Sequence, residues 1–122
     1  MKSAGDESQQ HVLDRHVFEE LFAALGNDTT RVRNVYRKFL DSTNARLEEV
    51  RHQSVTDSAA TFHALKGSAS MVGANRLAEL AAELQQAAPR LDYETKVSAI
   101  HALQSQLALF RAELESVLPP FA

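Results

Sequence analysis

Residues 55–88 read VTDSAATFHALKGSASMVGANRLAELAAELQQAA, and the way this run divides decides the fold. Val55, Ala59, Phe62, Leu65, Ala69 and Val72 recur at helical spacing, and so do Leu77, Leu80, Ala81, Leu84 and Ala88. Between the two sets stands Gly73, a residue that ends helices because it enters the left-handed region without a Cβ penalty. Thr56 or Asp57 offers an N-cap for the first helix, Asn75 begins the second, and Pro89 stops it. Two amphipathic helices joined by so short a connector fold back as a tight hairpin, which lets each stripe cover the other.

The same reading extends outward in both directions. Upstream, Leu13, Val17, Phe18, Leu21, Phe22 and Leu25 predict a short helix stopped by Gly26 and Asn27. Asp28 or Thr29 then caps a longer one striped by Val32, Val35, Tyr36, Phe39, Thr43, Leu47 and Val50. Downstream, Asp92 caps a long helix carrying Val97, Ile100, Leu103, Leu107, Phe110, Leu114 and Leu118, closed by Pro119 and Pro120. The expectation is an all-α chain: an antiparallel four-helix bundle with a short additional N-terminal helix across one end. Residues 1–10 read as a disordered lead or linker, 11–118 as the bundle domain and 119–122 as a tail.

Composition agrees and narrows the function classes. A chain of 122 residues with 44% hydrophobic and 24% charged side chains builds one core. The formal net charge of −3 argues against a nucleic-acid binder, which needs a basic surface. No apolar run is long enough to span a bilayer, and the polar opening MKSAGDESQQ has no signal-peptide core. Without cysteine there is neither a disulfide framework nor thiolate chemistry. A cytoplasmic protein without membrane contact is expected.

The first helix of the hairpin does not read as packing alone. Gly67 falls in its middle, where glycine costs about 0.5–1 kcal/mol relative to alanine, so another backbone or a ligand must come close there. His63 lies one turn earlier on the same face, and Ala59, Ala60, Lys66 and Ser70 share that arc. The imidazole sits about 100° around the helix from Phe62, beside the apolar seam and not in it. A neutral imidazole is nucleophilic near neutral pH, and one ring nitrogen reacts while the other is held by a hydrogen bond. A phosphoryl group on it would add nearly two negative charges, which a lysine three residues on can offset in part.

The stretch HALKGSASMVGA, residues 63–74, resembles the signature of the histidine-phosphotransfer (HPt) family, and NRLAELAAELQQ continues the likeness into the second hairpin helix. The likeness covers the last four helices as a layout, and about 25 residues of it are specific. The resemblance implies that His63 accepts a phosphoryl group on Nε2 from an aspartyl phosphate of a receiver domain and passes it to the aspartate of another. It implies charge neutralisation by Lys66, access at Gly67 and a hydrogen bond near the histidine from Gln85. The partners would be receiver domains of response regulators or of a hybrid histidine kinase, bound transiently by a monomer. Their docking surface is expected around Ala59, Ala60, Ser70, Met71 and Gln86. No cofactor is expected on this chain, with Mg²⁺ belonging to the receiver.

The other histidines carry no such setting. His11 and His16 are poorly spaced for a shared metal, His52 and His101 lack a ligand set, and no metal site is expected. No phosphate loop or nucleotide signature occurs, so the domain reads as a non-catalytic carrier. Two rivals stand beside it: an unmodified helical interaction module, and a substrate domain phosphorylated directly by a chemotaxis-type kinase. The polar lead and Pro-Pro ending fit the C-terminal domain of a hybrid sensor kinase, and Met1 fits a free-standing protein equally well.

Overall fold

The computed structural model describes residues 11–118, so the predicted lead 1–10, the tail 119–122 and the closing Pro119–Pro120 lie outside the described residues. Five α-helices follow one another, with no strand among the described residues: α1 (Arg15–Ala24), α2 (Thr29–Val50), α3 (Val55–Met71), α4 (Asn75–Ala87) and α5 (Tyr93–Val117). Pro89 sits in a single 3₁₀ turn, Ala88–Arg90, between α4 and α5. Each of α2 to α5 packs against two of the others, α2 on α3 and α5, and α4 on α3 and α5, which closes a four-helix ring. The α3–α4 hairpin is its most intimate pair.

The predicted stripes form the core. Val32, Tyr36, Phe39, Thr43, Leu47 and Val50 of α2 are buried with Phe62, Leu65 and Ala69 of α3. Leu77 and Ala81 of α4 join them, as do Ile100, Leu103, Leu107, Phe110 and Leu114 of α5. Phe110 meets Phe39 edge-on with centroids 5.6 Å apart and leans on Tyr36 at 5.9 Å. Val35, Leu80 and Leu84 pack against this core from half-buried positions.

Two boundaries differ from the sequence reading. The cap of α3 is Ser54, whose hydroxyl accepts from Asp57 N at 3.1 Å, and not Thr56 or Asp57. Ser54 and Asp57 stand three apart, so Asp57 lies in the first turn, where its charge favours the helix dipole. As a result Val55 becomes the first helical residue and is 50% exposed, while Ser58, only 2% exposed, takes the buried place. Leu13 likewise precedes α1, because Asp14 caps that helix by accepting from His16 N and Val17 N. Leu13 and Phe18 are both buried and occupy the two positions of a hydrophobic staple.

The end of the bundle at the α3–α4 turn is pinned from two sides. Asp14 N donates to Gly73 O at 2.8 Å, and Asn75 Nδ2 donates to the Asp14 carboxylate at 3.1 Å. Tyr36 Oη, in the core, donates to Val72 O at 3.0 Å. Thus α1 and α2 together hold the turn, and with it the relative position of α3 and α4. Burial works to raise the Asp14 carboxyl, but the bonds from Asn75, Val17 and His16 outweigh it and hold it below its ordinary value. Burial, seconded by the nearby Asp14 charge, raises the Tyr36 phenol, so it stays a hydrogen-bond donor.

Candidate functional site

His63 is exposed on α3, and its seam neighbours Phe62 and Leu65 point into the core, so the helix presents the ring outward by its own geometry. The hairpin brings Gln85 of α4 to it: Nδ1 of His63 lies 3.3 Å from Oε1 of Gln85. An amide oxygen only accepts, so in this pair Nδ1 carries the proton and donates. In the neutral ring this tautomer leaves the lone pair on Nε2. Gln85 is half-buried, which limits its freedom to leave that position.

Gly67 is exposed, and a Cβ built on it would meet nothing within 4 Å. Of the two explanations for a mid-helix glycine, close approach of another part of the chain is therefore removed for the described residues. The space beside Gly67 is open to solvent. Lys66 is also exposed and forms no ion pair among the described residues. It lines an open groove of about 260 Å³ between α3 and α4 with Ser70, Asn75, Ala78, Glu79 and Ala82.

The expected docking residues divide. Ala60, Ser70, Met71 and Gln86 are exposed, Met71 to 78%, which is the greatest exposure of any large hydrophobic side chain described. Ala59 instead packs half-buried against the core, because its place toward the seam turns it partly inward. Asn75, Ala78, Glu79 and Ala82 were missed by sequence reasoning. Counting back from Gln85 by helical steps reaches Ala82, Ala78 and Asn75, so the spacing held the signal for most of the groove wall.

The remaining histidines, His11, His16, His52 and His101, are exposed, and His16 Nε2 meets Glu20 at 3.4 Å on the surface of α1. Among the described residues no three His, Asp or Glu side chains gather into a metal-binding set, and no helix is long and apolar enough to cross a membrane.

A family model described as Hpt domain matches residues 34–118, a segment that starts inside α2 and runs through α5. No curated protein and no solved structure matches the chain. The matched segment includes His63, Lys66, Gly67 and Gln85, while α1, which secures the α3–α4 turn, lies ahead of it.

Proposed function

The chain belongs to the Hpt domain family, whose members carry out histidine phosphotransfer in two-component signalling, and from that premise we propose that His63 is its phosphoacceptor. Nε2 attacks the phosphorus of an aspartyl phosphate on a receiver domain. The N–P bond forms as the P–O bond to the aspartate breaks, and the carboxylate leaves with the electron pair. No proton moves, because Nδ1 already holds its own, and the positive charge gained by the ring strengthens its bond to Gln85. The same steps in reverse, onto the aspartate of a second receiver, unload the carrier.

One observation carries this reading: the 3.3 Å contact between Nδ1 and Gln85 Oε1 on an exposed histidine, which supports Nε2 of the neutral ring as the nucleophile. Lys66 supports it as the cation that offsets phosphoryl charge, and Gly67 as the gap through which a partner's phosphorylated loop approaches. Hpt domains interact with receiver domains of response regulators or of kinases. Here the proposed docking surface is Ala60, Ser70, Met71 and Gln86 around the histidine, with Ala59 at its inner edge. The carrier works as a monomer in the cytoplasm, its contacts are brief, and Mg²⁺ is contributed by the receiver and not by this chain.

The test is incubation with a receiver carrying radiolabelled phosphate. The wild type should acquire label that is lost in acid and kept in alkali, and His63→Gln should acquire none. Equal labelling of the two proteins would remove His63 from the reaction.

A further inference from the structure

Between Asp57 and Ala74, α3 and its turn carry a single formal charge, Lys66, three residues beyond His63 and on the neighbouring part of the helix surface. Lys66 opens onto the groove against α4, and among the residues lining that groove Glu79 is the anion. Ala78 and Ala82 share the lining, and their small side chains leave room for a flexible four-carbon stem to swing. The ammonium is within 4 Å of no carboxylate among the described residues, so it is not committed to one partner. It therefore has two anionic destinations. One is permanent, the Glu79 carboxylate, and the other exists only while His63 is phosphorylated.

We propose that Glu79 is a positioning residue for phosphoryl transfer that acts through Lys66: its carboxylate competes with the phosphoryl group on His63 for the ammonium and so keeps the phosphohistidine easy to unload. The inference rests on His63 being the phosphoacceptor. A relay intermediate has to release its phosphoryl group as readily as it takes it. A lysine given wholly to the phosphorylated state would favour loading over release. Glu79 shares the cation and weakens that bias. Glu79 also borders the groove between α4 and α5 with Arg76 and Glu83, and Glu83 does not line the groove that holds Lys66. Glu83 is therefore a matched control: an acidic residue one turn further along α4, outside the Lys66 groove.

The experiment measures how phosphoryl partitions at equilibrium between this chain and a receiver. Glu79→Gln should shift the partition toward phosphorylated His63 by about 1.5- to five-fold, the range expected for exposed charge pairs. Glu79→Asp, which keeps the charge, and Glu83→Gln should both match the wild type. The shift should shrink in high salt and disappear when Lys66→Gln is combined with Glu79→Gln. An unchanged partition in Glu79→Gln overturns the proposal, and so does an equal shift in the Lys66→Gln background. If the wild type takes no label at His63, the phosphoacceptor reading falls and the role of Glu79 falls with it. If His63 is labelled and Glu79→Gln behaves as wild type, the role of Glu79 falls alone.

Discussion

Gly67 and Gly73 lie less than two turns apart along the same stretch of chain, and the reasons for them are opposite. At Gly73 the backbone has φ +82°, and a Cβ would come within 3.1 Å of Asp14 O and 3.2 Å of Val17 Cβ. The molecule's own fold requires that glycine twice over, once for the conformation and once for the space. At Gly67 the backbone is helical and a Cβ would touch nothing. Packing among the described residues gives no reason for that residue, in keeping with the access role proposed for it. One end of the helix thus needs its glycine for the structure, and the open middle does not.

Substitutions can break or sharpen this contrast. Gly73→Ala should be the most damaging, lowering stability by about 2–4 kcal/mol through left-handed strain and overpacking, as read by denaturant unfolding. Tyr36→Phe should cost about 1–2 kcal/mol, since it removes the donor to the Val72 carbonyl, while the transfer rate per folded molecule stays the same. Gly67→Ala should go the other way and stabilise the bundle by about 0.5–1 kcal/mol while slowing phosphoryl transfer from a receiver. A Gly67→Ala protein that is less stable than the wild type would mean that the fold does need this glycine. The smallest effect is expected from Asp14→Asn, read as the difference in stability from the wild type across an acid titration. The Asp14 carboxyl is lowered from 3.8 in the folded state, so its contribution is full above that pH and lost as pH falls through the lower folded value. The stability gap between the two proteins should therefore close in acid, and a gap that persists there would show that Asp14 acts by shape and not by charge.

Much of the fold was legible because helical stripes are a local signal. Tyr36, Phe62, Leu65, Ile100 and Phe110 announce their burial through spacing alone. The cap of α3 was misread because three residues within four positions, Ser54, Thr56 and Asp57, all have capping side chains. Ser54 is the one that caps, so the helix starts at Val55, with Ser58 and Phe62 buried. The clamp of Asp14 on Gly73 and Asn75 was not legible at all, since it joins residues about sixty positions apart and follows no period. In the site, His63, Lys66 and Gly67 could be read from one helix. Gln85 depended on the likeness to the HPt family, because its distance from His63 is set by how α3 and α4 pack. Glu79 escaped for a related reason: on its own helix it looks like any solvated acid, and only the groove shared with Lys66 gives it a setting.

The central claim is chemical and can be read at a single atom. Nitrogen-15 and phosphorus-31 NMR of the chain loaded by a phosphorylated receiver should show phosphorus coupled to Nε2 of His63, with Nδ1 still protonated toward Gln85. Coupling to Nδ1 of that ring, or to His11, His16, His52 or His101, would contradict the account.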